Sequence, residues 1–327
     1  MNKIVDRLKK VSLLIVLSFF IFAIVLNPEK YSNSCIIGLK LWAFTVLPSL
    51  LPFFFLTALL TKTGTLLSLS EKLSPATKWL FKQNGISIYA FLMSIISGYP
   101  VGSRIVYDLY SQNLLSKSQA EKLSVLSSTS GVIFIIGVVG ISMFKSKTVG
   151  IAIYLAHILS AVLVGVIFRN HGDDFKDGKF ILNLNADNAL YESVYGSVIS
   201  SLIVGGFISI FYVFTDALLS CNLLLPLEFI FEKLLFFIGG NKEISRAFTI
   251  GLIECTRGSK ELADIGLSPL TASLSGTLIS FSGVSIIFQS LAFLQRASVN
   301  SWFFIKGKII QTAITFLSLY VVFSLIL

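Results

Sequence analysis

Three short stretches of the 327-residue chain put groups capable of binding chemistry inside otherwise apolar sequence. The first is Ser97-Gly98-Tyr99-Pro100-Val101-Gly102-Ser103-Arg104, where a proline and two glycines interrupt a run that would otherwise be a helix. The second is Glu254-Cys255-Thr256-Arg257-Gly258-Ser259-Lys260-Glu261, directly after an apolar run. The third is a matched pair, Ser127-Ser128-Thr129-Ser130-Gly131 and Ser280-Phe281-Ser282-Gly283, with Gln289 following the second member. Helix breaks within a bilayer free backbone N–H and C=O groups, which must then line a cavity or be buried in protein. Freed N–H groups attract anions and freed carbonyls attract cations. The candidate substrate site is therefore Gly98, Tyr99, Pro100, Gly102, Gly131, Gly258 and Gly283 at the breaks, with Thr256 beside them. Arg104 and Arg257 would attract an anion; Ser130, Ser282 and Gln289 would donate hydrogen bonds. Glu254 would pair with Arg257 at i, i+3 or carry a coupling proton. Each cluster also has a plainer reading: a packing kink, a surface loop, or small residues at a helix contact.

The elements that hold these clusters follow from composition. Of all residues 54% are hydrophobic and only 13% charged, with mean hydropathy +0.84, which excludes an ordinary soluble domain. Charge-free windows run over Val11–Pro28, Leu41–Thr61, Gln83–Ser103, Leu123–Phe144, Thr148–Phe168, Ser193–Thr215, Ile265–Gln295 and Ile309–Leu327. They are continuous Leu, Ile, Val and Phe runs and not alternating strands, so the fold class is an all-α polytopic membrane protein. The net charge of +9 reads as topology, with basic residues in short loops, and not as nucleic-acid binding. Cys35, Cys221 and Cys255 are scattered and the chain has only His157 and His171, so neither a disulfide framework, a metal centre nor a cofactor is expected. His157, in an apolar helix, reads as a hydrogen-bonded packing residue before a proton relay. No P-loop pattern occurs, and no nucleophile-and-base set clusters at depth, so neither an ATP-driven pump nor an enzyme is expected.

Four segments follow: residues 1–34 as an uncleaved signal-anchor helix, 35–168 as a first membrane repeat, 169–193 as a polar linker, and 194–327 as a second repeat. Pro48 and Pro52 should bend the second span. Lys62–Lys82 reads as a basic loop, and Leu223–Gly239 as a helix in the headgroup plane or a short span. The repeat rests on an ungapped alignment of Leu115–Ile136 on Leu267–Phe288, which lays Ser116 on Ser268 and Ser130-Gly131-Val132 on Ser282-Gly283-Val284. The 31-residue window Ile265–Gln295 exceeds a bilayer's thickness and needs a break. About 8–10 transmembrane or re-entrant helices result, in two pseudo-repeats with discontinuous helices. Two topologies remain open. Either Ile86–Gln112 and Ile244–Ile265 are re-entrant hairpins, or they are ordinary crossings, and the Lys and Arg balance does not separate the two. Hairpins would set the halves in opposite orientations, as alternating access uses.

At Gly98-Tyr99-Pro100-Val101-Gly102, Asn113-Leu114-Leu115-Ser116, Phe134–Gly140 and, in the second half, Gly251–Gly258 and Ser280–Ser285, the chain resembles the YlbJ-type sporulation integral membrane proteins. These lie within the group carrying the gate, or nucleoside-recognition, domain. The resemblance implies a multi-pass protein of the bacterial cell membrane or the membrane surrounding the forespore, moving dipicolinate, a small aromatic dicarboxylate. Expected partners are a small anionic solute, the lipid bilayer, and a coupling ion or a second copy of the chain. The other readings are a non-transporting gate or assembly subunit needed for cortex maturation, and a nucleoside-type transporter.

Overall fold

The structure, a computed structural model, describes residues 2–62, 65–172 and 188–327. The linker charges Asp173, Asp174, Lys176, Asp177, Lys179 and Asp187, and the side chains of Lys3, Arg7 and Lys9, lie outside the described residues. Every regular element among the described residues is helical. Among the described residues, five stretches are long and apolar enough to cross a membrane: Pro28–Leu60, Lys147–Ile167, Ala189–Ser220, Pro269–Leu294 and Ser301–Ile326.

After α1 (Asn2–Leu26) the elements fall into two parallel series. The first contains α2 (Pro28–Leu41) continuing into α3 (Leu47–Lys62), α4 (Thr65–Phe81), α5 (Ser87–Ser97), α6 (Val101–Ser111), α7 (Lys117–Leu126), a π-helical segment (Ile133–Met143) and α8 (Lys147–Ile167). The second contains α9 (Ala189–Ser220), α10 (Leu225–Phe236), α11 (Lys242–Ile253), α12 (Cys255–Ile265), α13 (Pro269–Phe281), α14 (Gly283–Leu294) and α15 (Ser301–Ile326). The match extends to local signals. Ser116 opens α7 in a capping box with Gln119, and Ser268, its partner in the sequence alignment, opens α13 in a capping box with Thr271.

Counterpart elements run antiparallel. Lys30 bonds Ser220 at 2.6 Å, Gly38 packs on Ser209, and the Trp42 indole donates to the Ser201 carbonyl at 3.0 Å while lying over Gly205. As α2 advances, its contacts on α9 retreat. The stripe Ser193, Ser197, Ser201, Gly205 and Ser209 makes this close approach possible, because small residues at four-residue spacing leave a groove. The same reversal relates α8 to α15: Phe168 meets Phe303, His157 meets Gln311, and Ser160 meets Thr315. Both counterpart pairs thus pack antiparallel. Outward, α8 presents Ile151, Leu155, Leu159, Leu163 and Ile167, an exposed apolar stripe suited to lipid.

Three segments differ from the sequence expectation or sharpen it. Lys62–Lys82 is not a loop: α4 occupies most of it, since Leu73, Thr77, Leu80 and Phe81 share a helical face turned to the core while Lys72 and Lys78 stay outside. The bend expected at Pro48 and Pro52 is a π-helical turn at Trp42–Val46, where the Leu47 N–H reaches back five residues to the Trp42 carbonyl. Pro48 has no N–H with which to continue the α pattern. The twelve residues of α10 rise about 18 Å, too short for a hydrocarbon core of about 30 Å, so α10 does not cross.

Candidate functional site

The window Gln83–Ser103 is a hairpin and not a crossing. Each arm, α5 and α6, has 11 residues and a rise of about 16 Å, half the depth of a hydrocarbon core. In a continuous helix Ser94 and Gly102 would lie about 12 Å apart. Instead a Cβ built on Gly102 would stand 2.8 Å from the Ser94 Cβ. Gly98, at φ +79°, makes the reversal, and the Tyr99–Pro100 peptide at the tip is cis. The second half repeats the device: a Cβ on Gly258 would stand 2.2 Å from the Gly251 Cα, so α11 and α12 fold back on each other about Glu254. Both segments are thus helical hairpins and not single straight helices.

Each hairpin tip abuts a break in the following span. Gly98 packs against the Gly131 backbone, and Gly283 against the carbonyls of Gly251 and Ile253 and the Cys255 N–H. Both serine-glycine pairs are therefore discontinuities as the sequence suggests, with Ser282 in a left-handed conformation at φ +82°. The groups freed at the breaks find partners from the other elements. His157 Nε2 accepts the Ser130 N–H at 2.9 Å, and Nδ1 lies 2.7 Å from the Ser280 hydroxyl. Since a backbone N–H can only donate, Nε2 is bare and the ring proton sits on Nδ1. Tyr99 Oη lies 3.3 Å from the Ile279 carbonyl, to which it donates from across the molecule. The ammonium of Lys308, fully buried on α15, donates to Tyr99 Oη at 2.8 Å, the Ser128 carbonyl at 3.0 Å and Gln311 Oε1 at 3.0 Å.

The tips and breaks border a partly open cavity of about 60 Å³, room for a few water molecules. Its polar lining comes from Ser97, Tyr99, Ser130, Glu254, Thr256, Ser285 and Gln289, and its apolar wall from Leu50 and Phe54 of α3 and Phe207 of α9. Of the residues singled out in the sequence, Gly98, Tyr99, Ser130, Gly131, Glu254, Thr256 and Gln289 line this space. The others do not. Pro100 caps α6, Gly102 and Gly258 are close-packing positions, and Ser282 and Gly283 form the break behind the wall. Arg104 is two-thirds exposed and faces Asp108 at 3.9 Å.

Arg257 also stands apart. Its guanidinium bonds Asp216 of α9 and Glu261, each at 2.8 Å, and lies 4.0 Å over the Tyr212 ring. Glu254 does not pair with it as the i, i+3 spacing suggests. Glu254 precedes the helix at φ −134°, and its carboxylate accepts the backbone N–H groups of Thr256 at 3.2 Å and Arg257 at 2.6 Å. The N-terminus of α12 is thus capped from within the chain. Lys260 is likewise paired, to Asp264.

The sequence reading misses Lys308, which stands just before the last charge-free window, Ile309–Leu327, whereas α15 begins seven residues earlier at Ser301; it also misses Gln311, inside that window. His157→Ala should cost about 1–3 kcal/mol by leaving the Ser130 N–H buried without an acceptor. A thermal midpoint lowered by several degrees in detergent is the check, and an unchanged midpoint would remove His157 from the framework.

No family model matches the chain. It is 28% identical to the sporulation integral membrane protein YlbJ of Bacillus subtilis (strain 168), over 93% of this chain and 81% of that protein. With the helical architecture and its membrane-length spans, this similarity marks the chain as a multi-pass integral membrane protein similar to YlbJ.

Proposed function

We propose that this sporulation-associated membrane protein is a carrier that moves a small organic anion of the dipicolinate kind by alternating access. One observation carries the reading: four discontinuities, two from each of two inverted series, converge on a single cavity with polar groups in its largely apolar wall. Inverted repeats with broken helices at a shared centre are the arrangement by which secondary transporters expose one site to either side. The relative's role in sporulation supports the substrate class.

The anion's partners differ from those the sequence suggests. Arg104, Arg257 and Lys260 lie outside the cavity, so the hydroxyls of Ser130 and Ser285 and the Gln289 amide would donate to it, with the Lys308 charge behind Tyr99. An aromatic dicarboxylate is larger than the few waters the cavity holds, so the hairpins must part to admit it. The test is uptake of labelled dipicolinate into proteoliposomes by the wild type and Gln289→Leu. Saturable uptake is expected, with efficiency lowered roughly tenfold in the variant through one lost hydrogen bond to a charged group. Absence of uptake by folded protein under every imposed ion gradient would instead favour a non-transporting assembly subunit. Competition by nucleosides would move the substrate class.

A further inference from the structure

The surroundings of Lys308 are built for a positive charge. The residue is 0% exposed, and no carboxylate among the described residues lies within ion-pair distance of it. An isolated charge at this depth costs several kcal/mol, and a hydroxyl or amide side chain would satisfy a freed carbonyl far more cheaply. The partners show why an ammonium stands here. Tyr99 Oη lies between the Ile279 carbonyl, at 3.3 Å, and Lys308 Nζ, at 2.8 Å, and with its proton turned to the carbonyl it accepts from Lys308. The Ser128 carbonyl can only accept. The Gln311 amide is oriented by its Nε2, which reaches the His157 carbonyl at 3.4 Å, and this turns Oε1 to Lys308. Three oxygens therefore meet at one point, and a protonated lysine meets all three with its three N–H groups. Ser128 also follows the C-terminus of α7, whose dipole adds negative potential.

We propose that these oxygens form a monovalent-cation site at the junction of the two repeats, and that the Lys308 ammonium fills it permanently as a tethered cation. Tyr99 at the first hairpin tip, Ser128 at the first break and Gln311 on α15 are the donors. The chain thereby supplies from its own side chain a charge that would otherwise be drawn from solution. This holds whatever the solute, and whether or not the protein transports one.

Removing the tether should expose the site. Wild type, Lys308→Ala, Lys308→Met and Lys308→Ala/Gln311→Leu would be purified in detergent, and thermal midpoints measured as choline chloride is replaced by sodium or potassium chloride at constant ionic strength. Lys308→Ala should melt lower than wild type in choline and recover saturably, by roughly 5 °C, in one of the metal ions. Wild type should show no such response, nor Lys308→Met, whose side chain still fills the space, nor the double variant, which lacks a donor. If Lys308→Ala loses its fold in choline, recovery of monodisperse protein in sodium or potassium supports the site, and loss in all three salts overturns it. Equal insensitivity of Lys308→Ala and wild type overturns it as well, as does a response retained by the double variant or shared by wild type.

Discussion

Replacing Gly102 or Gly258 by alanine is expected to dismantle the hairpin that carries it. A Cβ at Gly102 would stand 1.9 Å from the Ser127 carbonyl oxygen, and one at Gly258 2.2 Å from the Gly251 Cα. Both obstacles are backbone, so no rotamer change relieves them: α6 must move away from the end of α7, and α12 away from α11. Overpacking of a well-filled core costs about 1–3 kcal/mol when side chains can yield, and here the cost should lie at or above the top of that range. The loss should appear as poor recovery of monodisperse protein and a midpoint lowered by several degrees. Gly196→Ala and Gly206→Ala, where an added Cβ meets nothing within 4 Å, are the controls. An unaltered midpoint in Gly102→Ala would show that α6 does not pack this closely against the end of α7 and Ser94 of α5.

The breaks are legible in the sequence because glycine and proline have no other economical place within apolar runs. Gly98–Gly102, Ser130-Gly131 and Ser282-Gly283 all mark real discontinuities. Even the inverted arrangement is half written there, since Ser116 and Ser268 align before their shared role as capping residues is known. The ligands of the breaks are harder to read. Lys308, His157 and Tyr99 reach the freed groups from segments 27 to 180 residues away, and such distances leave no periodicity. Charge counting misleads in a specific way. A basic residue at the margin of an apolar window reads as a loop, yet Lys308 is buried because its three donors are all used inside. Conversely, basic residues beside a break read as ligands for an anion, although local carboxylates have already taken them.

Arg257→Ala tests that last distinction. The guanidinium ties α12 to α9 through Asp216 and to its own helix through Glu261, with its side chain only 10% exposed. Truncation leaves two carboxylates close together without a counter-charge, and removing one partner of a buried pair costs about 3–5 kcal/mol. Asp216 and Glu261 are 19% and 31% exposed, so water can reach both, and the lower end, about 3 kcal/mol, is expected. Folding should therefore suffer, while uptake per folded molecule should fall much less than in Gln289→Leu. Arg257→Lys should recover part of the midpoint, keeping the charge while losing the two-sided fork. Combining Arg257→Ala with Asp216→Asn should restore stability by relieving the uncompensated charge. Uptake abolished in Arg257→Ala at an unchanged midpoint would put the guanidinium in contact with the solute, and the functional centre would then have to extend from the cavity at the hairpin tips to the cleft between α9 and α12.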